Sequence, residues 1–236
     1  MFMAAAAALL VALSSARADF KLYIDGSNEF SGSGATFTGQ IVVTFANAGA
    51  NTVTMTIDAS GAAPTSTGKI DQLNFNVVNS IITPSTISSS PPINVVGSVG
   101  SATFSTNDNG SSGPNTPFKA DGDGYFDLVY QFPTAASADP FSLGEVIAFT
   151  LTGTGLTENA FNDVSVGGGD PTKTGFYIAA HVQSVNGPGL PSGWFSGDPV
   201  SPTPAPSSLI LLALGSGLTG LVTVLRMRRA RTAVVA

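Results

Sequence analysis

The sequence predicts an all-β body, an antiparallel β-sandwich of jelly-roll-like or Ig-like type, with an N-terminal signal helix and a C-terminal transmembrane helix. Three observations predict it. From Phe20 to Val185 apolar side chains recur at alternate positions, the period of a half-buried strand. Ser, Thr and Gly fill the gaps between these runs, and no window of the body shows an amphipathic helix. Each end of the chain instead carries an unbroken apolar run. Short strands with one apolar face must pair and cover that face, and two packed antiparallel sheets are the usual solution.

In chain order, the apolar run Ala4–Leu13 comes first and Ala16-Arg17-Ala18 follows it. Small residues three and one before a cut are what signal peptidase accepts, so Ala16 and Ala18 place the mature start at Asp19. Ten alanine-rich residues are too few to span a bilayer. In the body, Phe20, Leu22 and Ile24 alternate with Lys21, Tyr23 and Asp25. Ile41, Val43 and Phe45 share a face, as do Val53, Met55 and Ile57, and turn formers Asn47 to Asn51 lie between them. Gln40 to Asp58 therefore reads as a β-hairpin. Ile70 to Val78, Phe126 to Phe132, Val146 to Thr152 and Phe176 to Val185 are further strands. Thr83 to Pro117, rich in Ser, Asn, Gly and Pro, reads as a long loop with one or two weak strands.

From Gly187 the texture changes to Gly, Pro and Ser, and Pro199 to Pro206 has the proline density of an extended spacer. Ser207 to Leu225 holds no charge. As a helix it is about 28 Å long at 1.5 Å per residue, close to the hydrocarbon thickness of a bilayer. Arg226, Arg228, Arg229 and Arg231 follow at once, and arginines just past a span stay cytoplasmic. The expected organisation is a signal peptide over 1–18, an extracellular β-sandwich domain over 19–198, a proline-rich linker over 199–206, a transmembrane sorting helix over 207–225 and a basic cytoplasmic tail over 226–236.

Charge is segregated. All fifteen acidic residues lie between Asp19 and Asp198, against four lysines and no arginine, which gives the body a net charge of −11. Such a surface repels phosphate backbones and excludes nucleic acid as a partner. The absence of cysteine excludes disulfides, thiolate metal sites and cysteine nucleophiles. Burial alone must therefore hold the body together, and about 180 residues suffice for one core.

The tail, Pro204-Ala205-Pro206-Ser207-Ser208 through the Leu/Gly-rich span to Arg226-Met227-Arg228-Arg229, resembles the PEP-CTERM protein-sorting segment. In that family the tripeptide is usually Pro-Glu-Pro, and here Ala205 takes the place of the glutamate. The resemblance implies processing by an exosortase, a membrane transpeptidase-like enzyme, in a Gram-negative bacterium that makes exopolysaccharide. The Leu-Pro-x-Thr-Gly signal of the sortase pathway is not matched, since Leu190-Pro191-Ser192-Gly193 lacks the threonine and lies too far before the span. Phe141 to Glu145, Phe149 to Leu156, Ala179 to Gln183 and Gly193-Trp194 are similar to extracellular domains that commonly precede such tails.

The sharpest local chemistry is Asp121-Gly122-Asp123-Gly124-Tyr125-Phe126-Asp127. Asp121, Asp123 and Asp127, with glycines permitting a tight loop, could present oxygens to Ca²⁺. Asp-Gly is equally the ordinary chemistry of a turn into a strand, and the loop lacks the EF-hand's twelve-residue pattern. If the strand begins near Tyr125, Asp127 points away from a face bearing Phe126, Leu128 and Tyr130. His181 is the only possible imidazole base. Alternation places it with Tyr177, Ala179 and Gln183, and no Gly-x-Ser-x-Gly elbow accompanies it. Fifteen acidic residues offer many carboxylate pairs for glycoside hydrolysis, but the only tryptophan, Trp194, sits in the Gly/Pro-rich exit and reads as a cap on the core. No Gly-rich loop opens a helix to cradle a nucleotide phosphate.

The expectation is therefore a non-enzymatic surface or extracellular-matrix protein with a structural or adhesive module and no resident cofactor, Ca²⁺ at Asp121, Asp123 and Asp127 being the one candidate ion. Its partners would be an exosortase-type enzyme and the membrane. The competing expectation is a carbohydrate-binding or carbohydrate-cleaving module acting on exopolysaccharide, by analogy with other β-sandwiches.

Overall fold

The computed structural model describes residues 19–32, 34–62, 68–107, 118–120, 124–165, 175–184 and 191–199. The expected signal helix, transmembrane helix, motif Pro204–Ser207 and arginine cluster lie outside these residues, as does all of the linker beyond Pro199. Among the described residues, no helix is long and apolar enough to cross a membrane.

Twelve strands are described: β1 (Phe20–Gly32), β2 (Gln40–Gly49), β3 (Thr52–Asp58), β4 (Lys69–Phe75), β5 (Ser88–Ser89), β6 (Ile93–Val96), β7 (Thr103–Thr106), β8 (Leu128–Gln131), β9 (Phe141–Ser142), β10 (Val146–Thr152), β11 (Ile178–Gln183) and β12 (Gly193–Pro199). The pairings between them are antiparallel. The all-β, antiparallel expectation holds, but the two separate sheets are one. A single hydrogen-bonded path runs β5-β10-β3-β2-β1-β12-β11-β4-β8-β7, with β6 also on β10 and β9 on β4.

The hairpin forms where alternation and turn chemistry agree. Phe45 pairs with Met55 and Val43 with Ile57, so both apolar sets share one face. Asn51 makes the turn at φ 60°, a left-handed conformation that asparagine tolerates well. The same face continues outward through Leu22 opposite Val43 on β1 and Phe149 opposite Met55 on β10. This register buries Leu22, Ile24, Ile41, Val43, Phe45, Val53, Met55 and Ile57 in one core with Leu73, Phe75 and Tyr130.

Ring contacts show how the sheet rolls. Tyr130 of β8 meets Phe149 of β10 at 4.1 Å between centroids, although these strands lie near opposite ends of the path. Phe45 stacks on Phe161, from the 3₁₀ turn Glu158–Phe161, at 4.0 Å and 12°. The rolled sheet closes all but the seam between the β5 and β7 ends.

Three expectations change on the structure. The Gly/Pro-rich exit contains β12, an interior strand flanked by β1 and β11, and it includes Pro199 opposite Leu22. Gly197 is what lets it fit: a Cβ there would lie 2.5 Å from Ile178 Cγ2 and 2.7 Å from Ile24 Cγ1. The stretch from Thr83 onward, expected to be a long loop with one or two weak strands, holds three short ones: β5 and β7 form the two ends of the sheet path, and β6 pairs with β10 beside it. Finally, Phe126 does not share a face with Leu128 and Tyr130. It packs with Ala120, Ala179 and Trp194 in a small second cluster outside the roll. Trp194 thus covers the outer face of the sheet and is no cap on the main core.

Candidate functional site

The seam is a groove of about 650 Å³. One wall is β5 with Ser90, Pro91 and Pro92 after it, and the other is β7 with Ser101 and Ala102 before it. Tyr130 lies between the walls, its hydroxyl hydrogen-bonded to Ser89 Oγ. No described lining residue is charged, and seven of them carry hydroxyls. The β5 side is already internally bonded: Ser88 Oγ meets Thr152 Oγ1 at 2.7 Å, and Ser90 Oγ accepts the Thr150 N–H at 2.9 Å. Phe104, half-buried on β7, lies 4.8 Å from the Tyr130 ring and presents an aromatic face to the groove. Burial pushes the Tyr130 phenol well above its ordinary pKa, against a smaller opposing effect of the Ser89 hydrogen bond. The groove is therefore neutral and suits an uncharged polar chain.

A second constellation lies on the outer face of β4, β11 and β12. His181 pairs with Gln72 and Val182 with Ile70, which leaves Asp71 as the extra residue of a β-bulge. The bulge turns Asp71 outward. Its Oδ1 lies 2.6 Å from His181 Nδ1, and its Oδ2 accepts a hydrogen bond from Gln183 Nε2. The imidazole lies 4.9 Å from the Trp194 ring at a 36° tilt. A carboxylate on Nδ1 fixes ring orientation, as in a hydrolytic triad. Among the described contacts no hydroxyl bonds to the other nitrogen, and the geometry described is that of a histidine positioned by a carboxylate. His181 shares its face with Ala179 and Gln183 as alternation predicts. Asp71, the residue that gives it a partner, escapes sequence reading because 110 residues separate the two.

Of the three expected calcium ligands, Asp121 and Asp123 lie outside the described residues. Asp127 is buried, and its Oδ2 accepts the Val77 N–H at 3.1 Å while its own N–H donates to Asn76 Oδ1 at 3.0 Å. These two bonds tie the start of β8 to the end of β4. Among the described residues no three His, Asp or Glu side chains gather as a metal-holding group. The flanking segments close as a small arch, with Lys119 bridged to Tyr125 and the Phe126 N–H donating to the Phe118 carbonyl at 3.0 Å. The nearby ring of Tyr125 receives the Lys119 ammonium at 5.9 Å.

No protein-family model, no curated protein and no solved structure matches the chain.

Proposed function

We propose that the chain is an exported surface or extracellular-matrix protein whose body is a non-enzymatic structural or adhesive module that takes its ligand in the seam groove. The observation that carries this reading is the lining of the groove: hydroxyls and an aromatic face from both ends of the sheet, with no charged side chain described among them. Such a surface holds a partner through many weak contacts. The sequence supports the export and sorting part of the proposal: a signal helix over 1–18 cut after Ala18, the PEP-CTERM-like Pro204-Ala205-Pro206-Ser207, a membrane span over 207–225 and Arg226, Arg228, Arg229 and Arg231 on the cytoplasmic side. An exosortase-type enzyme is the processing partner in this reading.

The lining also favours a second reading, in which the ligand is a neutral stretch of exopolysaccharide stacked on Phe104. The mature protein and its Phe104→Ala variant, tested on arrays of neutral glycans, separate the two. Binding that falls at least tenfold on Phe104→Ala supports the glycan reading. Silence across the array leaves the structural role. The intact mass of the protein from its native host tests the sorting: a chain ending near Pro206 is processed, and one ending at Ala236 keeps its span.

A further inference from the structure

Three non-glycine residues among those described have positive φ: Asn51, Asp139 and Ser184. Of these, Asp139 alone precedes a proline. It closes the 3₁₀ turn Ala136–Ala138 at φ 49° and ψ 75°, in the left-handed region. Proline pushes the residue before it toward extended backbone, and a Cβ disfavours the left-handed region, so the Asp139–Pro140 junction is strained on two counts. A close contact holds it there. The Gly100 N–H donates to the Asp139 carbonyl at 2.7 Å, and a Cβ on residue 100 would lie only 2.1 Å from the Ala138 carbonyl oxygen.

The side chain is free to react with that carbonyl. Asp139 is exposed and makes no side-chain hydrogen bond or ion pair among the described contacts. Charged groups on the segments around it are engaged elsewhere: Glu145 accepts the Ser98 and Ser142 N–H groups, and Lys69 donates to the Thr134 carbonyl. Three parts of an acyl-transfer site therefore meet at one bond. They are a carboxyl that reaches its own backbone carbonyl carbon through a five-membered ring, a fixed donor on the carbonyl oxygen, and a proline nitrogen that leaves as a basic secondary amine.

We propose that the chain cuts itself once, at the Asp139–Pro140 bond, with the Asp139 carboxyl as the attacking group. An oxygen of the protonated carboxyl attacks the Asp139 carbonyl carbon and closes a cyclic anhydride. The carboxyl proton passes to the Pro140 nitrogen, and the C–N bond breaks. Water then opens the anhydride, which leaves Asp139 as a new C-terminus and Pro140 as a new N-terminus. Proximity of the two reacting groups supplies rate, the Gly100 N–H stabilises the oxyanion formed on attack, and the cut releases the strain at the junction. The halves stay together afterwards. Strands β9 to β12 follow the bond, yet β10 lies between β5 and β3, and β12 and β11 lie between β1 and β4. The product is a nicked body held by its strand ladders alone, and the reaction needs neither the seam groove nor the expected anchor.

The protein purified from its host, folded or in concentrated urea, is held at about pH 5, where a fraction of carboxyls with the ordinary value of about 3.9 is protonated. Fragments are read by intact mass after denaturation. Asp198–Pro199, in the interior strand β12, is a reference bond of the same type in the same chain. The expected result is a product ending at Asp139, formed at least tenfold faster in the folded protein than in urea, and at least tenfold faster than cleavage after Asp198. Asp139→Asn keeps a residue that tolerates the left-handed region and should slow the cut at least tenfold. The two fragments should elute together in size exclusion and separate only in urea. Equal rates in the folded and unfolded chains overturn the proposal, because they are the ordinary acid lability of such a bond. So does a folded chain that stays uncut, or a cut that survives Asp139→Asn.

Discussion

The Tyr130 hydroxyl meets Ser89 Oγ across the seam, so a side-chain hydrogen bond joins the two ends of the sheet where no backbone ladder does. Both groups are held elsewhere as well: Tyr130 by Phe75, Phe104, Phe132 and Phe149, and Ser89 by the β5–β10 pairing and a bond to the Ser90 carbonyl. Tyr130→Phe and Ser89→Ala should each lower stability by about 1 kcal/mol. Because they share one bond, the double variant should lose less than the sum of the two in urea unfolding.

The same burial sets an alkaline limit. Folded Tyr130 keeps its proton where the unfolded chain loses it, around the ordinary value of 10.0. Above that pH the unfolded state binds fewer protons, so the contribution is complete below pH 10 and declines as pH rises beyond it. One such group accounts for a slope of at most about 1.4 kcal/mol per pH unit. Unfolding curves at pH 9 and 11 should diverge less for Tyr130→Phe than for the parent.

Gly197 has no room for a side chain between Ile24 and Ile178. Gly197→Val should cost about 1–3 kcal/mol through overpacking, read as a lower melting temperature. The exposed Val95→Thr in β6 should leave it within about 0.5 kcal/mol of the parent.

Asp127 separates structure from metal binding. Loss of its carboxylate leaves the buried Val77 N–H without its acceptor, so Asp127→Ala should cost about 1–3 kcal/mol equally in EDTA and in Ca²⁺. Equal melting temperatures of the parent protein in the two buffers would remove calcium at Asp121 and Asp123 from the account. A calcium-dependent rise abolished by Asp123→Asn would establish it.

Asp71→Ala should leave both His181 and Gln183 without their acceptor, at a cost of about 1–2 kcal/mol. Trp194, the only tryptophan, lies against the His181 ring, so its emission should change with the substitution while far-ultraviolet dichroism stays constant.

Strands whose inner face is filled by alternate large side chains were legible from sequence. The hairpin Gln40–Asp58 and the strand Val146–Thr152 appear at the expected positions because local pattern and tertiary burial agree there. β12 was not legible, since Gly193, Gly197 and Pro199 carry no strand signal and only its neighbours supply the reason for them. One or two weak strands were expected between Thr83 and Pro117 and three are present; their number and positions escaped because their edges, not an apolar face, decide their place. The groove was invisible for a similar reason: its two walls lie next to each other in sequence and at opposite ends of the sheet path. Asp71 reaches His181 only through a bulge that no local motif announces.

The place of β12 between β1 and β11 governs when the body can finish folding. The first strand of the body waits for the last, because one side of β1 stays unpaired until residues 193–199 arrive. In a chain delivered amino end first, by a ribosome or through a translocation pore, nearly the whole body must emerge before the roll can complete.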